Sequence, residues 1–186
     1  LYILERVLEN RASELAILER NTEVLRNIKG PFLRMTHQDA VRKLREMGSD
    51  ATEDKDLGGD DETLLMQSLN QPLFVTHYPA KVKAFYMKRN EAGTNCLCAD
   101  LLAPEGYGEI IGGSQREDDP VLLKKWMDEH GVPEKGLEWY LDLRKYGSVP
   151  HAGFGLGLER MVAWVCGLKH VRETIPFPRM LNRLTP

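Results

Sequence analysis

The sequence predicts an α+β fold, an antiparallel β-sheet with helices gathered at its sides. Three observations carry that expectation. Apolar residues recur at helical spacing as far as Pro72 and at alternating spacing beyond it. The alternating stretches are joined by links too short for crossover helices, so neighbouring strands should run antiparallel. Near the C-terminal end, Gly153, Gly155 and Gly157 stand at every second position, which in a strand puts all three on one face. The chain thus divides into a helical part, 1–71, and a sheet part, 72–186.

In order, Leu1, Leu4, Leu8, Ala12, Leu15 and Leu18 predict one helix to about Arg20, broken at Asn21-Thr22. No capping residue precedes it and no Met opens the chain, so the sequence reads as cut from something longer. Thr36-His-Gln-Asp39 is a near capping box for a second helix, which buries Ala40, Val41, Leu44 and Met47 and stops at Gly48. Asp60 or Asp61 should cap a short helix through Leu69. Strands are expected at Leu73–Thr76, Val82–Met87, Cys96–Leu102 and Glu109–Arg116. Helices at Val121–His130 and Leu137–Lys145, each ended by a glycine, lead to the three-glycine strand and a final helix.

Composition excludes several classes. A net charge of −3 over 186 residues gives no global basic field for nucleic acid, although a local patch would not show in that sum. Cys96, Cys98 and Cys166 form no C-x-x-C pair, which argues for reduced thiols and against a zinc site. No signal peptide and no membrane-length apolar run is present, so the expected location is the cytoplasm and no membrane partner is expected.

Glycine weakens a strand interior by roughly 0.5–1 kcal/mol relative to alanine, so three in register need a reason. One reason is a bare backbone floor for a flat ligand; the other is a glycine-rich turn against another backbone. Phe154, Leu156 and Leu158 should then point into a core, with Glu159 and Arg160 at the strand-to-helix junction. In Glu109-Ile-Ile-Gly-Gly-Ser-Gln-Arg116, simple alternation groups Glu109 with Ile111 and Gly113, and Ile110 with Gly112 and Ser114. The paired glycines can distort that count, so it does not fix the face of Arg116. Glu109 and Arg116 need partners or a ligand if buried. They could pair with each other or serve a site. Asp100 on the preceding strand is either a strand-end hydrogen-bonder or a second carboxylate for Mg²⁺.

Gly153–Arg160 followed by an apolar helix resembles motif 3 of the class II aminoacyl-tRNA synthetases. Gly108–Arg116, Trp139–Gly147, Val149–Phe154, Pro176–Arg179 and Arg183–Pro186 resemble the asparaginyl-tRNA synthetase family, its archaeal and eukaryotic branch most of all. The resemblance covers essentially the whole chain, and it implies the C-terminal portion of a class II catalytic domain with a natural C-terminus. It also implies that motif 1, motif 2 and an anticodon-binding barrel lie outside these residues, so that the fragment alone is expected to be inactive.

The roles that follow are what the resemblance implies. Glu109 would hold Mg²⁺ and through it the phosphates of ATP, with Asp100 as the second acidic position, although its separation from Glu109 is longer than in aspartyl relatives. Arg116 would reach the side-chain carbonyl of bound asparagine, beside Gly112, where aspartyl relatives carry serine. Arg160 would lie over the adenine and reach the γ-phosphate, with Gly157, Leu158 and Glu159 lining the nucleotide. Glu109, Arg116 and Arg160 are the expected catalytic set, ATP and Mg²⁺ the expected cofactors. Asparagine, tRNA(Asn) and a second copy in a homodimer are the expected partners. His151 is expected to be structural. Alternatives are an asparagine synthetase-like paralogue activating aspartate, an aspartyl-tRNA synthetase, and a non-catalytic synthetase-like module.

Overall fold

The computed structural model describes residues 1–185. Five strands form one sheet in the order β1 (Leu33–Thr36), β2 (Leu73–Thr76), β3 (Cys98–Ala103), β4 (Gly108–Gln115) and β5 (Ala152–Leu156). The expected α+β architecture is present. The β2–β3, β3–β4 and β4–β5 pairs are antiparallel as expected. The first pair is not: β1, unforeseen in the sequence, runs parallel to β2. The chain returns between them through α4 (His37–Glu46) and α5 (Gly59–Met66), the crossover that a parallel pair requires.

The single first helix is two, α1 (Tyr2–Asn10) and α2 (Ala12–Ile17), broken where Arg11 leaves helical backbone at φ −130°. Asn21 then caps a further short helix, α3 (Thr22–Arg26), by accepting the Glu23 N–H. Thr36 caps α4 as the sequence suggests, its hydroxyl accepting the Asp39 N–H at 3.1 Å. The cap of α5 is Gly58 and not Asp60 or Asp61, which lie in its first turn, where acidic groups favour the helix dipole. Val82–Met87 is no strand. A 3₁₀ turn at Ala80–Val82 leads into a segment whose backbone groups are taken singly, Lys83 O by His130 and Tyr86 O by the Glu117 N–H. The remaining helices are α6 (Pro120–Glu129), α7 (Glu138–Lys145) and α8 (Leu158–Cys166).

The sheet separates two apolar layers. On one face, α4 and α5 bring Val41, Leu44, Leu65 and Met66 down on Leu73, Val75, Cys98 and Leu102. On the other, Leu4, Leu25, Met161, Trp164 and Val165 pack on Leu101, Ile110, Ile111 and Leu156. Burial of such side chains contributes about 1.5–3 kcal/mol each. Helix α4 covers β1 and β2 on the first face and α5 covers β3 and the Gly108–Glu109 end of β4, which leaves the backbone of β5 at Gly155 bare. Among the described residues no helix is long and apolar enough to cross a membrane.

Candidate active site on the glycine face of the sheet

Cross-strand register gathers the site. Asp100 pairs with Gly112 and Gly112 with Gly155, while Cys98 pairs with Ser114 and Ser114 with Gly153. Directly opposed residues share a face, so Asp100, Gly112, Ser114, Gly153 and Gly155 all lie on one face of the sheet.

A β-bulge adds Glu109 to that face. Leu101 pairs with Ile111 but Leu102 pairs with Glu109, which leaves Ile110 as the extra residue. Ile110 and Ile111 both enter the apolar layer on the opposite side. Glu109 is therefore turned onto the face of Gly112, where its Oε1 occupies the place a Gly112 side chain would take. This corrects the simple alternation, which set Glu109 with Ile111 and Gly113.

The three glycines do form a floor, covered at both ends and bare in the middle. At one end, a Cβ on Gly153 would stand 2.9 Å from Arg116 Nη2. At the other, a Cβ on Gly157 would meet Arg160 Cβ at 3.7 Å. Over Gly155 there is nothing within 4 Å. At strand rise, the four residues from Gly153 to Gly157 span roughly 13 Å, a length suited to a nucleotide lying between two guanidinium groups. The opposite face departs from expectation: Phe154 is 74 % exposed and Leu158 64 % exposed, and only Leu156 reaches the core. Phe154 instead lines, with Arg34, Phe74 and Ile111, an open cavity of about 620 Å³ on the far side of the sheet.

Arg116 does not pair with Glu109. Its Nη1 donates to Ser114 Oγ at 2.7 Å, and its guanidinium lies 4.7 Å from the centre of the Tyr86 ring. These contacts leave the remaining N–H groups facing the floor and an aromatic cavity of about 410 Å³ lined by Phe85, Tyr86, Trp139 and Tyr140. His151 stays outside the floor: its backbone carbonyl receives the Arg116 N–H, and its ring bonds Val149 O at 2.8 Å. Arg160 Nη1 donates to the backbone carbonyl of Glu109 at 2.8 Å, which ties the first turn of α8 to the strand that carries Glu109. Gly157 is the N-cap of α8, with Leu158 and Glu159 as its first residues.

The acidic end contains more than the sequence suggested. Asp100 Oδ2 is held by Lys83 Nζ at 2.9 Å, while Oδ1 lies 3.2 Å from the place of a Gly112 Cβ, next to Glu109. Lys83 also pairs with Asp56 at 3.0 Å and sits 3.8 Å from the Tyr78 ring centre. Buried Glu62, on α5, accepts the Glu109 N–H at 2.9 Å. Burial first, and then the charge of Asp100, pushes the Glu109 carboxyl above its ordinary value. Burial likewise raises Glu62. Among the described residues no set of three or more His, Cys, Asp or Glu side chains could hold a metal ion. Two hard carboxylates converging beside an open floor fit Mg²⁺, which takes one or two carboxylates and completes its octahedron with water and phosphate oxygens. The sequence missed Glu62, Lys83 and Tyr86, because no local pattern marks a residue that reaches the site from another element.

A sheet with an acidic pair and two arginines around a glycine floor is what the resemblance to the class II synthetases leads one to expect, and comparison with known proteins places the chain in that class. The family described as tRNA synthetases class II (D, K and N) matches residues 1–181, and the chain belongs to it. Within that family the chain is 52% identical over 198 residues to the asparagine–tRNA ligase of Sorangium cellulosum (strain So ce56), and 53% identical over 192 residues to that of Symbiobacterium thermophilum. Each alignment takes in 100% of this chain and 44% of the relative. The asparaginyl-tRNA synthetase of Pyrococcus horikoshii, solved in complex with asparaginyl-adenylate, superposes with a TM-score of 0.95 at 47% identity, over 100% of this chain and 43% of that one. The chain thus spans less than half the length of the relatives it matches.

Proposed function

We propose that these residues are the C-terminal portion of the catalytic domain of an enzyme that activates asparagine with ATP and transfers it to tRNA(Asn). The observation that carries this is the placement of Glu109, Arg116 and Arg160 on one face of the sheet, around backbone left bare at Gly155. The asparagine carboxylate attacks the α-phosphorus of ATP, the bond to the bridging oxygen breaks, and pyrophosphate leaves. A terminal tRNA hydroxyl then takes the acyl group and releases AMP.

Each residue has a part in this. Arg116, fixed by Ser114 and Tyr86, donates to the side-chain carbonyl of asparagine. Gly112 leaves room beside it. The bare backbone at Gly155 receives the nucleotide, with Gly157, Leu158 and Glu159 along its edge. Arg160 faces the purine and the γ-phosphate; a guanidinium has five donors, so it can keep its bond to Glu109 O while presenting others. Glu109 and Asp100 would hold Mg²⁺, which would offset phosphate charge. Positioning and charge neutralisation of this kind supply most of the catalysis in phosphate chemistry. A homodimer in the cytoplasm is the working form.

The test is amino-acid-dependent pyrophosphate exchange by the full-length protein. Exchange with asparagine and not with aspartate is expected. Exchange with aspartate alone would overturn the asparagine assignment, and exchange with neither would overturn the enzyme assignment.

A further inference from the structure

The carboxylate of Glu62 has no place in the reaction as described, yet it is only 8 % exposed and lies against the acidic end of the site. Its Oε2 accepts the backbone N–H of Glu109 at 2.9 Å. A Cβ on Gly108 would stand 2.6 Å from the same oxygen, so the glycine before Glu109 is what lets Glu62 approach. Gly108 also has φ +65°, a backbone conformation that favours glycine on its own account. On the other side of the same residue, Glu109 O accepts from Arg160. Both backbone polar groups of Glu109 are thus held by charged side chains from other elements, α5 and α8.

We infer that Glu62 is a positioning residue for Glu109, holding its backbone so that the side chain stays on the glycine face. A β-bulge leaves strand pairing interrupted where Glu109 must be turned outward, so something other than the ladder has to fix that peptide. Glu62 does so from a helix packed on the β3–β4 strands, and a hydrogen bond to a charged acceptor is stronger than one to a neutral carbonyl. The inference rests on the reading of Glu109 as the metal-holding carboxylate.

Chemistry separates a positioning role from a direct one. Glu62→Gln keeps the length and an acceptor oxygen but loses the charge. Glu62→Asp keeps the charge but falls one methylene short of the Glu109 N–H. The measurement is Mn²⁺ binding to the full-length protein with ATP present, followed by electron paramagnetic resonance, beside asparagine-dependent pyrophosphate exchange of the parent. Loss of a charge-assisted hydrogen bond should weaken Mn²⁺ binding roughly tenfold in Glu62→Asp, while Glu62→Gln stays within about threefold of the parent. The reverse order, or two variants that bind alike, would overturn the positioning role. A parent without exchange or Mn²⁺ binding would instead remove the functional reading on which this rests.

Discussion

Arg160 and Glu109 lie 51 positions apart in sequence and are joined by one hydrogen bond, Nη1 to the backbone carbonyl, at 2.8 Å. The guanidinium that would meet the nucleotide and the strand that carries the Glu109 carboxylate are therefore one mechanical unit. A change at either end is felt by the other.

Arg160→Ala should cut asparagine-dependent pyrophosphate exchange by about 10²–10³-fold, the usual cost of removing one preorganised charge from such a site. The ratio of exchange rates of variant and parent at saturating ATP reads this directly. An unchanged rate would remove Arg160 from the catalytic set.

Gly155→Ala and Gly113→Ala should behave in opposite ways. A Cβ at Gly155 meets nothing within 4 Å, so the variant should unfold at the parent's temperature while its KM for ATP rises. At Gly113 a Cβ would stand 2.9 Å from Phe154 Cβ and 3.0 Å from Gly153 O. Overpacking against backbone costs about 1–3 kcal/mol, so this variant should lose several degrees in Tm. Thermal scans and ATP titrations of the pair distinguish a ligand floor from a packing seam.

Tyr86→Ala should raise the KM for asparagine and leave that for ATP in place. The ring supports Arg116 from one side through a cation–π contact of about 1–2 kcal/mol, equivalent to roughly a tenfold change. Equal changes in both constants would mean that the ring supports the fold and not the arginine.

Glu109→Gln should make the metal-free fold more stable at neutral pH. Burial and Asp100 raise the Glu109 carboxyl above its ordinary value of 4.5, so the native state binds its proton more tightly than the unfolded chain does. Stability from this group is therefore complete below pH 4.5 and declines as pH rises through the elevated native value. The amide carries no such penalty. Chemical denaturation in chelator should show the variant ahead at pH 7, with the gap closing as pH falls towards 4.5. The same substitution should abolish exchange, the trade between stability and activity that functional sites show.

The sheet, the order of its last three strands and the principal charged residues were legible because each rests on a local signal. The three-glycine spacing, the Gly-Gly beside Glu109 and the Thr36 cap are of this kind. What escaped is non-local. Strand β1 is four residues long and stops where its own cap begins, so it exists only through pairing with β2. Val82–Met87 alternates like a strand, but its carbonyls bond groups from α6 and beyond β4. Phe154 and Leu158 read as core because they are apolar and face away from the glycines, and no pattern tells a covered face from an open one. Glu62 and Lys83 reach the acidic pair from elements that the sequence marks only as scaffold.

The doubled isoleucine at the bulge decouples chain arithmetic from catalysis. Asp100 and Glu109 are separated by a hairpin whose tip, Pro104–Tyr107, lies beyond the last paired residues, Ala103 and Gly108. The hairpin can lengthen or shorten at that tip while Ile110 and Ile111, seated together in oil, keep the Glu109 carboxylate on the glycine face. Evolution is thereby free to edit the turn, whereas removing a single residue from the strand itself would swing Glu109 to the wrong side of the sheet.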